Sequence, residues 1–429
     1  MLDRDIIQNR GFTDVVEDGR VTGFALRLRN PNYRGLSSSL VDGVDVTVDG
    51  RTWTHDQTLV ELQGRRFTLD ELRRSTGARW HLDETATVVV PHEGGLSAGV
   101  HQVAVDVHLR APYFPIEFQP NIFHAERTLT IVGPTAGPFR YGVSTYSYTG
   151  DMNTVMTLDD AMAEIADVGA TGIELLSEGN VAGYPEPSTA WLDAWYAGLE
   201  RHGLVPTNLG TWVDTRMWLH RDLTAQEGAA QLAQDLRLAS RLGFTFLRPK
   251  FGVVSLDLQP HPIWTEVVER NLDLAAELGI TIAPEIHPPT PIRHPVVDEY
   301  VALIERTGTK NFGLLIDTGI FMTAAAIEPL DGKAPDEDEI PVPLRPLRVP
   351  ASDLLDIAPY VVFVQAKFYE VDEQLNDLHI PWLDVLRALR DGGYDGWLSS
   401  EYEGRREPDR GKEMVRRQHA MFHTLAEQL

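Results

Sequence analysis

The chain has 429 residues and a formal net charge of −25, and its balance of 43% hydrophobic and 24% charged residues is typical of a globular protein rather than a disordered or fibrous one. The acidic charge disfavours nucleic-acid and membrane partners, and the absence of cysteine excludes disulfides, thiolate metal sites and a cysteine nucleophile. The sequence contains neither an 18-residue apolar run nor the apolar segment of a signal peptide at its start, so we expect a soluble, cytoplasmic protein.

Residues 1–134 predict an all-β, sandwich-like domain. Short runs at 20–28, 44–48, 86–90, 100–109 and 127–132 alternate apolar with polar residues or are rich in β-branched ones. Asp-Gly pairs at Asp18, Asp42 and Asp49 are typical of hairpin turns, and 70–75 is the one predicted short helix. A Gly/Pro-rich segment at 133–138 predicts the domain boundary.

Residues 137–429 predict a (β/α)8 TIM barrel, because eight short apolar strands alternate with amphipathic helices. The predicted strands are 140–144, 172–176, 206–210, 244–250, 281–286, 313–317, 361–367 and 396–401, and the predicted helices are 158–168, 226–242, 263–278, 296–307, 382–390 and 412–429. A doubly wound sheet is disfavoured because no GxGxxG motif follows the first strand.

A proline-rich connection at 322–353, with an acidic run at 336–339, interrupts the barrel. Long connections in compact domains are often active-site lids or interface segments, and the alternative is a solvated surface insertion. Both interpretations remain open from the sequence.

Carboxylates close three of the last four predicted strands: Glu285, Asp317 and Glu401. Barrel active sites lie at this end of the strands, and buried carboxylates need a compensating charge. A divalent cation supplies it most simply, with Gln365 as a fourth oxygen ligand, and oxygen ligands favour Mn²⁺ or Mg²⁺ over Zn²⁺.

Pairing with cations is the alternative explanation for these acids. Lys250 and Lys367 follow neighbouring strands and are the obvious partners. We expect such pairing to explain one of the acids better than all three.

The order Glu, Asp, polar residue, Glu on strands five to eight resembles the xylose-isomerase-like barrels of sugar epimerases and isomerases. The run from Gly393 to Glu401, GYDGWLSSE, is similar to the final strand of that family, which supplies its last metal ligand. The third ligand there is commonly a histidine in an H-x-K-like strand, whereas Gln365 and Lys367 occupy those positions here. This departure weakens the plain isomerase interpretation.

A narrower resemblance covers nearly the whole chain. PEIHPPTP at 284–291 and VQAKFYEV at 364–371 resemble the large subunit of bacterial C-glycoside deglycosidases. MLDRDIIQNRGF at 1–12, GFALRLRNPNYRG at 23–35 and APYFPIEF at 111–118 resemble the small subunit.

This resemblance implies a metal-dependent lyase that breaks the sugar–aglycone C–C bond of 3-oxo-C-glycosides with flavonoid-like aglycones. A separate oxidoreductase makes the keto sugar, whose α-hydrogen a base then removes. The enolate, stabilised by the metal, expels the aglycone. The alternatives are a metal-dependent keto-sugar isomerase or epimerase that reprotonates the same enolate, and a carbohydrate-binding protein on a catalytically inactive barrel.

Residue roles follow from strand alternation and from the resemblance. His287 lies two residues beyond Glu285, on the same face of the strand, and is the predicted base, with a pKa suited to that task. Lys367 stands in the same relation to Gln365 and is predicted to bind the enolate oxygen or act as an acid. Predicted substrate contacts are Tyr146, Trp212, Arg248, Lys250 and Glu403. Barrels of this class often associate, so a homo-oligomer is an open expectation.

Overall fold

The computed structural model describes residues 2–253, 255–326 and 340–429. The acidic run at 336–339 falls outside these residues, so both interpretations of that connection stay predictions. No helix in the described part of the chain has the length and apolar character needed to cross a bilayer.

The N-terminal part forms two antiparallel sheets that enclose one apolar core. Its strands are β1 (Thr13–Glu17), β2 (Arg20–Arg29), β3 (Leu36–Ser37), β4 (Val41–Val48), β5 (Arg51–Trp53), β6 (Leu59–Leu62), β7 (Arg65–Phe67), β8 (Arg79–Trp80), β9 (Thr85–Pro91), β10 (Gly99–Leu109) and β11 (Asn121–Ile131), with one helix, α1 (Leu69–Arg74). The orders of these two sheets are β1-β2-β9-β6-β7 and β11-β10-β4-β5, and β3 pairs with β8 in a third sheet of two short strands. Alternating residues of both sheets, such as Phe24 and Val105, are buried between them, as in a sandwich.

Two of the three predicted Asp-Gly turns are confirmed. Asp18-Gly19 joins β1 to β2 and Asp49-Gly50 joins β4 to β5, each with both residues at positive φ, as the tightest hairpins require. The third prediction is wrong, because Asp42-Gly43 lies inside β4. Gly43 has a φ of 108° there, and the register against β10 shifts between His108 and Leu109, so the pair forms a bulge rather than a turn.

The remaining strands form one parallel sheet that closes on itself. They are β12 (Arg140–Ser144), β13 (Gly172–Leu176), β14 (Val205–Val213), β15 (Phe246–Phe251), β16 (Thr281–Ile282), β17 (Glu285–Ile286), β18 (Leu314–Asp317), β19 (Val361–Phe368) and β20 (Trp397–Tyr402). The sheet order is β16-β15-β14-β13-β12-β20-β19-β18-β17. Its two ends, β16 and β17, are halves of the predicted fifth strand, so the (β/α)8 barrel prediction is confirmed.

Helices surround this sheet. They are α2 (Leu158–Asp167), α3 (Ser177–Asn180), α4 (Thr189–His202), α5 (Ala225–Leu242), α6 (Trp264–Glu269), α7 (Leu272–Leu278), α8 (Pro295–Thr307), α9 (Leu354–Ile357), α10 (Trp382–Asp391) and α11 (Arg410–Ala426). The sequence did not predict α4. The predicted helix 263–278 is divided at Asn271, whose side-chain amide donates hydrogen bonds to the carbonyls of Ala229 and Val267 and so competes with helix continuation.

The sandwich packs on the outside of the barrel, against α2 and α11. Lys412 Nζ lies 2.8 Å from Asp3 Oδ1, and Thr130 Oγ1 donates to Glu413 Oε1 at 2.7 Å. On α2, the buried Glu164 accepts a hydrogen bond from the Asn9 side chain at 3.3 Å. These contacts join the two parts through buried polar groups.

Candidate active site

Strand alternation builds the barrel interior in successive steps. A buried apolar cluster fills it towards the amino ends of the strands: Ala283, Leu315, Phe363 and Trp397. Two residues further along each strand, on the same face, the interior turns polar: Glu285, Asp317, Gln365 and Ser399. The apolar cluster closes the barrel from below, so the polar side chains meet at its carboxyl end, where barrel sites form.

Three of the predicted site residues form a group with the geometry of a metal site. Donor atoms of Glu285, His287 and Asp317 all lie within 4.8 Å of one another. His287 Nε2 is 3.7 Å from Asp317 Oδ2, while its Nδ1 bonds the carbonyl of Pro288 and holds the ring in place. His287 therefore stands among the predicted ligands, in a position for ligation as well as for proton transfer.

Lys367 lies between three acidic side chains, one of which is Asp317 of the group just described. Its Nζ is 2.5 Å from Asp317 Oδ2, 3.6 Å from Glu401 Oε2 and 3.3 Å from Glu403 Oε2. Burial by itself would lower the pKa of Lys367, but the surrounding carboxylates outweigh it and raise that pKa well above its usual value. Burial raises the pKa of Glu401 in turn, against the pull of the Lys367 charge.

Cation pairing thus reaches further than the sequence led us to expect. Lys367 alone contacts two of the three predicted metal-binding acids, and Arg248 and Lys250 approach the third, Glu285, at 3.7 and 3.9 Å. Burial favours the neutral form of Glu285, but Arg248 and then His287 outweigh it, so the pKa of Glu285 is lowered.

Gln365 and Glu401 differ in how they relate to the donor group. Gln365 is opposite Asp317 on the neighbouring strand, and its Oε1 is buried without a hydrogen-bond partner among the described residues. Glu401 is opposite Lys367, one inward position further along the strands than Gln365. The predicted fourth oxygen is therefore level with Asp317, whereas Glu401 reaches the group through Lys367.

Glu174 is a site residue that the sequence interpretation missed. It is fully buried on β13 and accepts hydrogen bonds from Asn208 Nδ2 at 3.1 Å, Gln365 Nε2 at 2.5 Å and Ser399 Oγ at 2.7 Å. Burial raises its pKa against these donors. The sequence signal for Glu174 was a lone acid inside the apolar strand GIELL. The hydrogen bond from Gln365 to Glu174 fixes the orientation of the Gln365 amide.

The predicted substrate residues also lie at the carboxyl end of the barrel strands. The Arg248 guanidinium stacks over the Trp212 ring at 5.5 Å, and Lys250 is half exposed. Burial and then Glu403 raise the pKa of Tyr146, whose ring lies under Arg406 at 4.7 Å. The sequence did not predict Arg406, which anchors Tyr146 at the mouth.

Comparisons with known proteins match both parts of the chain. Residues 2–113 match the family model described as C-glycoside deglycosidase beta subunit, and residues 162–423 match the xylose isomerase-like TIM barrel. A C-glycoside deglycosidase alpha subunit of Arthrobacter globiformis is 26% identical over 338 residues, which cover 67% of this chain and 92% of that protein.

Two further proteins extend the comparison. A 3'-dehydrocarminate deglycosidase beta subunit of a Microbacterium species is 32% identical over 109 residues, 25% of this chain and 82% of that protein. Among solved structures, a D-allulose 3-epimerase from a Methylomonas species has a TM-score of 0.48 and 16% identity, covering 68% of this chain and 99% of that one.

The family model of the barrel alone spans more than half of the chain. The sandwich matches a different family model, which is described as the beta subunit of C-glycoside deglycosidase. The chain therefore belongs to the xylose isomerase-like TIM barrel family, and residues 2–113, in front of its barrel, match the C-glycoside deglycosidase beta-subunit model.

Proposed function

We propose that this chain is a metal-dependent C-glycoside deglycosidase that cleaves the sugar–aglycone C–C bond of 3-oxo-C-glycosides by elimination. One observation carries the proposal: a polar site at the barrel mouth, with metal donors beside a buried lysine, occurs in a chain that also contains the beta-subunit domain. An isomerase or epimerase has no need of that second domain.

The donor set fits a divalent cation. Glu285 and Asp317 offer two carboxylates within one small volume, and the buried, unpartnered Oε1 of Gln365 is a further oxygen, while His287 lies beside them as the base. Glu401 is the remaining predicted ligand, and Lys367 lies between it and Asp317. When bound there, Mn²⁺ or Mg²⁺ supplies positive charge that stabilises an enolate oxygen.

The reaction begins at the carbon between the keto group and the glycosidic carbon. His287 Nε2 accepts the proton of that carbon, because Nδ1 is directed to the Pro288 carbonyl. The C–H electron pair forms the enolate and then a new C=C bond to the glycosidic carbon. The C–C bond to the aglycone breaks, its electron pair goes to the aglycone carbon, and that carbon takes up the proton that His287 removed. The products are an unsaturated keto sugar and the free aglycone.

Lys367 fits one of its two predicted roles better than the other. Three carboxylates keep it charged at neutral pH, so it binds and stabilises an enolate oxygen rather than giving up its own proton. The sugar would be bound by the predicted substrate contacts at the barrel mouth, which are Arg248, Lys250, Trp212, Tyr146 and Glu403.

The oxidised sugar explains why proton abstraction is feasible. An ordinary C-glycoside offers no acidic hydrogen and no leaving oxygen to protonate, so the two-carboxylate scheme of glycosidases does not apply. The 3'-dehydrocarminate named for one relative fits a substrate that is already a ketone. A separate oxidoreductase would supply it, and flavonoid-like aglycones are the proposed class.

Metal content separates ligands from the base. We expect Glu285→Gln and Asp317→Asn to lose both bound Mn²⁺, measured by elemental analysis after dialysis, and activity. His287→Ala should retain Mn²⁺ but lose at least about 100-fold in turnover, the usual contribution of a general base.

His261→Ala is the matched control, because His261 pairs at 3.1 Å with Asp222 on another loop of the barrel. It should keep both metal and turnover. A fully active Glu285→Gln variant would refute the site assignment, whereas loss of metal in His287→Ala would make His287 a ligand.

A further inference from the structure

A second cluster of metal-ligating side chains lies in the sandwich domain, apart from the barrel mouth. Asp45 on β4, His108 on β10 and His55, two residues after β5, bring one donor atom each within 4.8 Å of the others. His55 Nδ1 is 2.8 Å from Asp45 Oδ1, and His108 Nε2 is 2.9 Å from Asp45 Oδ2. Nothing in the proposed reaction uses these residues.

The backbone is shaped to assemble this cluster. Val44 and Val46 are buried in the sandwich core, so Asp45 between them points to the outer face of the sheet. Gly43 sits at the bulge of β4, and a Cβ there would come within 2.6 Å of the His55 Cβ. The bulge and its missing side chain therefore create the space in which His55 lies beside His108.

We propose that Asp45, His55 and His108 form a binding site for a divalent transition metal of the zinc type. Two imidazoles and one carboxylate are a donor set that favours such ions over Mg²⁺ or Ca²⁺. Donor atoms around a tetrahedral Zn²⁺ are separated by about 3.3 Å, so the cluster needs only a small opening to admit the ion.

Each imidazole can supply one ring nitrogen as a ligand. Each histidine now directs to Asp45 the nitrogen that would bind the ion, and a shift of its proton to the other ring nitrogen frees that lone pair. The three side chains are partly exposed, which leaves a fourth position open to water. A bound ion would cross-link β4, β10 and the loop after β5.

Zinc titration of the full-length, EDTA-stripped chain tests this site. We expect His55→Ala and His108→Ala each to lose one equivalent of Zn²⁺ relative to the unmodified chain in titration calorimetry, or to bind that equivalent at least about tenfold more weakly. The barrel donors are unchanged in both variants, so the difference is independent of the metal proposed for the barrel.

His124→Ala is the matched control. His124 also bonds carboxylates, Asp106 on the neighbouring strand β10 at 2.8 Å and Glu126 on its own strand β11 at 3.1 Å, but it lies outside the cluster. It should keep the zinc stoichiometry of the unmodified chain. His55 is the more exposed of the two ligands, so His55→Ala decides the question if His108→Ala fails to fold. Unchanged zinc stoichiometry and affinity in folded His55→Ala would overturn the proposal.

Discussion

Lys367 links the stability of the site to its chemistry. It is almost completely buried, and its charge is the common partner of Asp317, Glu401 and Glu403. Removing one member of a buried ion cluster leaves the other charges uncompensated, at a cost that typically exceeds what the pair contributes. The same ammonium that is proposed to stabilise an enolate therefore also holds the carboxylates together.

Lys367→Met should lower the free energy of unfolding by about 3–5 kcal/mol in EDTA, measured by urea denaturation. In saturating Mn²⁺ the decrease in the free energy of unfolding caused by Lys367→Met should be smaller, because the ion replaces part of the missing positive charge. Lys250→Met is the control: Lys250 is half exposed and 3.9 Å from Glu285, so its loss should cost less than about 1 kcal/mol. Equal small losses in both variants would contradict a charged cluster around Lys367.

At this scale, the sequence signal is an acid that ends an apolar strand. Glu285 and Asp317 were identifiable because inward-facing strand ends meet at the barrel mouth. Glu174 was not, because its role depends on donors from three other strands, and no local pattern shows which strands are neighbours.

At the scale of elements, departures from prediction have local causes. The fifth strand was predicted as continuous over 281–286 but divides into β16 and β17, with Ala283 bonding to Leu247 on one side and Pro284 accepting from Leu315 on the other. Pro284 has no N–H to donate to the ladder, so the strand is interrupted just before Glu285.

The helix α5 carries a buried acid that should make stability depend on pH. Asp235 accepts a hydrogen bond from Tyr184 Oη at 2.7 Å, and burial raises its pKa from 3.8 to about 6. The folded chain thus holds this proton more tightly than the unfolded chain. The stabilising contribution is complete below pH 4 and is lost as the pH rises through 6.

Comparison with Asp235→Asn isolates that contribution. The free energy of unfolding of the unmodified chain, relative to the variant, should fall by up to about 3 kcal/mol between pH 4 and pH 7, measured by urea denaturation. Asp273→Asn, at an exposed position of α7, should give no comparable trend. A flat difference for Asp235→Asn would show that Asp235 is ionised in the folded chain throughout this range.

For the whole molecule, the contacts between sandwich and barrel include buried charged residues. Lys412 is buried against Asp3, and Arg10 approaches Glu164 at 3.3 Å, so charged residues from both parts compensate one another. Periodicity predicted the two architectures, because each depends on patterns a few residues long. It could not predict how they dock, since the partners are separated by up to 409 positions in the chain.

This docking gives the assembly a simple interpretation. Relatives of the two parts are named as alpha and beta subunits, whereas both parts are covalently joined here. Covalent linkage keeps the sandwich beside the barrel at any protein concentration.

The most direct measurement is aglycone release from a 3-oxo-C-glucosyl flavonoid, followed by chromatography with Mn²⁺ and with EDTA. The account predicts free aglycone with Mn²⁺, none with EDTA, and none from the unoxidised C-glucoside, whose hydrogen is not acidic. An isomerised keto sugar with its C–C bond intact would contradict the elimination and favour an isomerase. Aglycone release that persists in EDTA would contradict the role of the metal.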